Sequence, residues 1–556
     1  MELLRGQPAV AAARALFASP GIPAVDVDPQ ARGGGALTVL ALATPERAVL
    51  VDRLATPDLG ALFAAAAHPF AAEHAKTVHR ALLRAGLFAP ARWACTHLTA
   101  QLLAAGRDHD LSLAGLCARA HLPAPPEAAA GMDAWAARLR ATAAVVGAVK
   151  SQLKEDGLVW VSRLEAAAVA PIALMEHAGM PFDGDAWRAV TFAAERERRE
   201  LETKILQALR KAGDTDLFGA ATLHLDNDAE LKAALTAVGY PLADVRRETV
   251  AALPAPLGPW LARSRELLKI TSAYGESFLA HVGADGRIHP TFEQIGATTG
   301  RLSCHSPNLQ AMVKGTPHRA CFKAAPDRRL VVADYSACEL RILAEMSGDP
   351  VFAEAFAHGE DLHARVATAV FGKPVSKSQN PELRERAKAV NFGLAYGMGA
   401  GGLARATGTS LAVARELLER YFRTFPRIRS FLEQSAAGGL ERGFAVTMTG
   451  RRLMLDPGTT ADSRAQAERI AKNMPIQGTS ADITKIALAR LYRRLPAFAG
   501  AALVNTVHDE IVVECAAPDA DGVRLVLAEE MQAAGAEVLK HVPVGVDSAV
   551  CQHWDK

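Results

Sequence analysis

Arg384-Glu385-Arg386-Ala387-Lys388-Ala389-Val390-Asn391-Phe392-Gly393-Leu394-Ala395-Tyr396-Gly397 places Arg384, Lys388, Phe392 and Tyr396 at every fourth position, with no proline and only Gly393 to weaken a helix. A step of four drifts by only about 40° per repeat, so the four side chains follow one slowly turning helical stripe. Two cations followed by two aromatic rings suit a triphosphate at one end and a base at the other: the cations bind phosphate oxygens and the rings offer a stacking face. An isolated helix of this pattern would read as amphipathic, with solvated cations and buried rings. Its sequence neighbours change that reading.

Acidic motifs flank the stretch. Upstream, Leu330-Val331-Val332-Ala333 is a short apolar run suited to a buried strand, and it ends in Asp334-Tyr335-Ser336. Downstream, Ala501 to Val507 and Ile511 to Glu514 are two strand-like runs separated by His508-Asp509-Glu510, a hairpin with acids at its tip. An acid at a strand end and an acid at a hairpin tip converge if their strands share a sheet. Two aspartates so placed can hold two divalent cations roughly 3.5–4 Å apart, the arrangement that stabilises attacking and leaving oxygens in phosphoryl displacement. Magnesium suits such a site, because it takes one or two carboxylates and completes its shell with water and substrate phosphates.

Asp334-Tyr335-Ser336-Ala337-Cys338-Glu339-Leu340-Arg341, the cation–aromatic stretch and Val507-His508-Asp509-Glu510 occur in an order that resembles the three polymerase motifs of the family A (polymerase I-like) DNA polymerases. Thr299-Gly300-Arg301-Leu302-Ser303, Pro307-Asn308-Leu309-Gln310, Asp361-Leu362-His363 and Asn473-Met474-Pro475-Ile476-Gln477-Gly478-Thr479 extend the match, which runs from about residue 265 to the C-terminus. The resemblance implies a multi-domain α/β and α+β architecture: an exonuclease-like (RNase H-like) N-terminal domain, then a right-hand polymerase of palm, fingers and thumb. The expected divisions are 1–150 for the exonuclease-like domain, 151–290 for the thumb, 291–345 and 461–556 for the palm, and 346–460 for the fingers.

Residue by residue, the resemblance implies that Asp334 and Asp509 bind two Mg2+ ions, with Mn2+ able to substitute, and that Glu510 is a secondary acidic neighbour. Arg384, Lys388 and His363 would grip the incoming dNTP, Lys388 also serving as proton donor to pyrophosphate. Phe392 and Tyr396 would lie beside the nascent base pair. Arg301, Asn308, Gln310, Arg469, Asn473, Gln477 and His508 would contact the primer–template DNA. Glu339 matches the glutamate that crowds the sugar 2′ position and so favours deoxynucleotides; Phe392 implies poor acceptance of nucleotides lacking the 3′-hydroxyl. The chemistry would be attack of a primer 3′-hydroxyl on the α-phosphate. Departures are Ala311-Met312-Val313-Lys314-Gly315 where the family often continues Asn-Ile-Pro-x-Arg, Ala337 and Cys338 where Gln and Ile are frequent, and Thr506 in place of a glutamine.

The N-terminal region departs further. Residues 37–47 followed by 48–52 read as two strands around a turn, similar to the start of a 3′–5′ proofreading domain. Of that domain's four metal-binding acids, Asp26-Val27-Asp28 reads either as a relic of the first, Asp-x-Glu pair or as plain loop acids, whereas Val78 and Leu139 stand where the others belong. Valine and leucine cannot bind a metal, so the expectation is a degenerate exonuclease-like domain without proofreading. No room is expected for a 5′-nuclease domain.

Composition agrees with a large enzyme of several domains. Half of the residues are hydrophobic and no apolar run approaches a membrane span. Seven scattered cysteines without a Cys-x-x-Cys pair suggest free thiols and no zinc site. The net charge of +2 means that DNA binding must rely on clustered cations and weaken with salt. A cytoplasmic, nucleoid-associated monomer with no membrane contact is expected. Three other readings are an RNA polymerase, against which Glu339 and Phe392 argue; a nuclease, resting on Asp26 and Asp28; and a DNA-binding protein with a decayed polymerase fold, against which intact Asp334, Asp509, Lys388 and Arg384 argue.

Overall fold

The computed structural model describes residues 3–19, 21–53, 56, 59–65, 68–87, 92–126, 131–209, 223–395 and 397–554. Two compact units divide the chain: Met1–Gly179 with Pro290–Gln310 and Asp327–Val550, and Met180–His289 with Ala311–Pro326 and Cys551–Lys556.

The first unit begins with a six-stranded mixed sheet. Strands Ala24–Val27, Val39–Ala43 and Ala48–Asp52 form an antiparallel meander; Phe70–Ala72 and Trp93–Cys95 continue it in parallel beyond the first, and Leu3–Leu4 pairs in parallel with the third. Strand side chains alternate between faces, and here the alternation separates two sizes of residue. Val25, Val27, Leu40, Leu42, Val49 and Val51 fill the core on one face. Ala24, Ala41, Ala43 and Ala71 dominate the other, against Leu139, Ala143 and Val146 of helix Met132–Ala148.

A four-stranded sheet carries the acidic motifs, in the order Ala502–Val507, Glu510–Ala516, Arg328–Tyr335, Val546–Cys551. Leu330 to Ala333 are fully buried, as the uninterrupted apolar run requires. Tyr335, on the opposite side of its strand from Asp334, donates its hydroxyl to the Met531 carbonyl of helix Ala520–Val538 at 2.7 Å. Helices Leu362–Phe371, Pro381–Ala395 and Leu411–Thr424 follow the first part of this sheet, and helix Ala461–Arg494, started by mutual capping of Thr460 and Ser463, leads back to it.

Helix Val159–Ala178, grouped with the thumb in the expected division, packs in the first unit against strand Ala502–Val507 and helices Ala75–Arg84 and Ala461–Arg494. A fully buried ionic cluster fixes it there. Glu165 accepts hydrogen bonds from Lys485 Nζ and Gln294 Nε2, both at 2.6 Å, and from Arg451, whose guanidinium also binds Asp482. Burial alone would raise the Glu165 carboxyl; Lys485 and Arg451 reverse that and hold it below its ordinary value. Burial pushes Lys485 down to about 8, partly offset by Glu165, so the pair is ionised at neutral pH.

In the second unit, helix Gly184–Leu209 packs along Leu257–Ala273, burying Leu201, Ile205, Leu261 and Leu267. A separate aromatic cluster stacks Trp187 on Phe278 at 4.3 Å, and Arg319 lies over the Trp554 ring at 3.9 Å. The interleaved charges of residues 195–202 form exposed pairs along the helix, such as Arg199 with Glu195. No helix among the described residues is long and apolar enough to cross a membrane.

Replacing Glu165 by Gln leaves Lys485 and Arg451 with less negative charge than they need in a dry site. The expected cost is about 3–5 kcal/mol, read as a lower urea midpoint, and Glu165→Leu combined with Lys485→Met should recover part of it.

Candidate active site

Register sets the acids. Strand Arg328–Tyr335 pairs antiparallel with Glu510–Ala516 so that Asp334 lies opposite Glu510, and Tyr335 N–H donates to the Asp509 carbonyl at 3.4 Å. The hairpin turns through His508 at φ +56°, and the chain leaves the Asp334 strand through Ala337 at φ +55°. Left-handed backbone at two non-glycine residues is a strained choice of the kind that gathers at functional sites. Its effect is to put two carboxylates side by side. Burial raises the Asp509 carboxyl, and the charges of Asp334 and then Glu339 add to it, up to about 8.

This donor set fits a hard divalent cation. Two adjacent carboxylates in a partly buried place gain from a positive charge between them, and their oxygens match the preference of Mg2+. Among the described residues no group of three or more His, Cys, Asp or Glu side chains forms a complete metal cage. An ion held here would finish its shell with water and phosphate oxygens.

Helix Cys338–Ser347 starts directly after the Asp334 turn and packs against helix Pro381–Ala395, the helix of the cation stripe. Arg384 Nε donates to Asp361 at 2.8 Å, and Asp361 also caps helix Leu362–Phe371 by accepting from the His363 and Ala364 N–H groups. Lys388 is nearly half exposed, with its ammonium 3.8 Å from Glu385. His363 lies 5.5 Å from the Phe392 ring, and burial together with the Arg384 charge pushes it down to about 4, so it is neutral at pH 7. Its Nδ1 accepts from Asn391 Nδ2 at 3.1 Å, and Tyr421 donates to Asn391 Oδ1 at 3.0 Å. That leaves the proton on His363 Nε2, available to an anionic ligand. Tyr396 lies outside the described residues.

Arg301 donates to Glu339 at 2.8 Å, joining two residues that the sequence reading gave separate roles. Gln310 donates to the Thr506 carbonyl at 3.3 Å, and Asn308 is exposed beside it, bonded to the Gln310 N–H. Arg469, Asn473 and Gln477 recur every four residues on helix Ala461–Arg494; Arg469 is exposed, Gln477 is buried, and Asn473 Oδ1 has no partner among the described residues. Gly397, at φ +67°, brings the chain so close to this helix that a Cβ would sit 2.9 Å from the Arg469 side chain. His508 is exposed at the hairpin tip, and Glu510 is buried.

Sequence reasoning missed the Tyr421–Asn391–His363 relay and the Arg301–Glu339 pair. Neither has a local signal, since their links join residues 28 to 38 positions apart.

The N-terminal acids have different company. Asp28 caps the turn at Pro29–Arg32 and accepts from the Thr38 and Val39 N–H groups. Asp26 accepts from Arg32 and from Trp135 Nε1 at 2.8 Å. Val78 and Leu139 lie in separate hydrophobic cores. Near Asp26, Arg138 pairs with Glu73 through two contacts of 2.8 and 2.9 Å.

The acids at the hairpin tip are thus linked, through helix Cys338–Ser347, to a helix of cations. The sequence profile of DNA polymerase family A matches residues 223–556, more than half of the chain. The chain belongs to that family. It is 34% identical to the thermostable DNA polymerase I of Thermus aquaticus over 72% of this chain and 49% of that protein. It is 36% identical to DNA polymerase I of Chloroflexus aurantiacus over 61% of this chain and 36% of that one. The chain therefore spans about half the length, or less, of these relatives. The POL domain of Pol1 from M. smegmatis, solved in complex with DNA primer-template and dNTP, superposes with a TM-score of 0.81 at 27% identity, covering 100% of this chain and 99% of that one.

The raised Asp509 carboxyl has a measurable consequence. Between its unfolded value of 3.8 and about 8 the folded protein keeps a proton that the unfolded chain has released, so stability without cations falls as pH rises through that window. The slope is at most about 1.4 kcal/mol per pH unit. Asp509→Asn should flatten it in thermal melts, and added MgCl2 should raise the Tm of the wild type but not of the variant.

Proposed function

We propose that this chain performs template-directed DNA synthesis, transferring a nucleotide from a dNTP to a primer 3′-hydroxyl. The observation that carries the reading is the convergence of Asp334 and Asp509, far apart in sequence, at one end of the two central strands of a sheet, from which the next helix packs against the Arg384–Lys388–Phe392 helix. Asp334 and Asp509 would hold two Mg2+ ions, or Mn2+ in their place. Bound there, the ions supply positive charge for the attacking and leaving oxygens of the displacement.

The remaining work falls to side chains. Lys388, Arg384 and the neutral His363 bind the triphosphate oxygens, Lys388 as a mobile point charge and Arg384 held by Asp361. Lys388 would also give a proton to the departing pyrophosphate. Phe392 and Tyr396 stack beside the new base pair. Glu339, fixed by Arg301, closes the space at the sugar 2′ position, and a ribose hydroxyl would meet a carboxylate that is already engaged. Arg301, Asn308, Gln310, Arg469, Asn473, Gln477 and His508 would track the primer–template backbone. Glu510 contributes negative charge beside the metal pair.

In this reading residues 291–345 and 461–556 form the palm and 346–460 the fingers. The thumb would lie in the second unit, within its Met180–His289 part, with 151–179 belonging to the first unit. The N-terminal sheet, an antiparallel meander followed by parallel strands, supports an exonuclease-like origin. Asp26 and Glu73 are neutralised by Arg32 and Arg138, and apolar Val78 and Leu139 are sunk in cores, which supports the absence of proofreading.

A labelled primer–template with Mg2+ and dNTPs tests the reading. Wild-type protein should extend the primer, Asp509→Ala should lose about 10²–10³-fold or more of the rate, and the primer should stay intact without dNTPs. Absence of extension by the wild type would instead indicate a decayed DNA-binding protein. Glu339→Ala should keep dNTP extension while gaining ribonucleotide incorporation; unchanged discrimination would remove Glu339 from its assigned role.

A further inference from the structure

A cavity of about 400 Å3 opens in the first unit beside the edge strand Trp93–Cys95, lined wholly by residues between Ile22 and Ala166 and by none of the residues assigned to DNA or dNTP. Its volume falls within the range of small-ligand sites. Leu98, Leu102, Val146, Val149, Leu153 and Val159 give it an aliphatic wall, and Trp93 is the single aromatic among its lining residues. Such a surface suits a flexible hydrocarbon chain better than a flat ring, which would favour aromatic faces.

The rim carries one sign of charge. Lys150 and Lys154 stand one turn apart on helix Lys150–Glu155, and Arg163 stands on helix Val159–Ala178 one turn beyond Val159. All three are exposed, and none forms an ion pair among the described residues. The one lining carboxylate, Glu165, is already bound by Lys485, Arg451 and Gln294 and offers nothing to a cationic ligand. Thr99 and Ser162 add hydroxyl groups to the lining.

We propose that this cavity binds a single-chain anionic amphiphile, its tail against the aliphatic wall and its head group against Lys150, Lys154 and Arg163. A carboxylate and a phosphate head share this chemistry. Titration calorimetry of the whole chain with decanoate and with decyl phosphate, each as monomer in solution, separates the two sources by which binds more tightly. At least one should bind saturably at one site per chain, and decyltrimethylammonium should neither bind there nor displace it. Reversing the rim charges together (Lys150→Glu, Lys154→Glu, Arg163→Glu) should weaken binding about tenfold, the combined effect expected of three exposed charge contacts. Ala166→Phe, at a partly exposed position of the wall, should abolish binding by filling the space. Primer extension retained by both variants shows that they are folded. The proposal is overturned if neither anion binds saturably, if the cationic amphiphile competes equally, or if folded variants bind both anions as the wild type does.

Discussion

Asp334 and Asp509 repel each other, and the fold holds them together nonetheless. Seven residues of ladder between Arg328–Tyr335 and Glu510–Ala516, buried on both faces at Leu330 to Ala333, impose the contact. The left-handed turns at Ala337 and His508 then aim the two strand ends. The cost appears as the raised Asp509 carboxyl, a charge that the protein alone does not accommodate. Such a site is stable only with apolar packing beneath it, and the fully buried run Leu330–Ala333 supplies that packing directly before Asp334.

The helical side of the site, proposed to take the nucleotide, is organised on the opposite plan. Each polar group there is already engaged within the protein: Arg384 on Asp361, His363 on Asn391, Asn391 on Tyr421, Glu339 on Arg301. Lys388, with only a long contact to Glu385, remains the mobile charge. Preorganised donors lose less freedom when an anion arrives, and they act in a place from which water is partly excluded. Asp361 illustrates the economy, since one carboxylate caps a helix and orients an arginine of the next.

How much of this was legible beforehand follows from sequence distance. The strand ending at Asp334 and the hairpin at His508–Glu510 announced themselves through short apolar runs closed by acids, and the stripe at Arg384, Lys388 and Phe392 through its period. The pair of strands near residues 39–52 was readable from its apolar runs around a turn. Side-chain partnerships were not readable. Glu165 and Lys485 are 320 positions apart, and no local pattern marks them as a pair. The placement of helix Val159–Ala178 in the first unit has no local signal either, because its alanine-rich sequence shows no single polar face. It is apolar nearly all round because strand and helices enclose it on several sides.

The alanine layer beneath helix Met132–Ala148 has a consequence for what the N-terminal sheet tolerates. Leu139 shares its core with Ala24, Ala41, Ala43 and Ala71, so a carboxylate introduced at that position would lose its hydration among methyl groups. Asp26 and Glu73 are held by Arg32 and Arg138, and removing either arginine would leave an acid short of its partner. Single polar changes on this face therefore pass through a less stable protein, and new chemistry there is reachable only by several changes made at once.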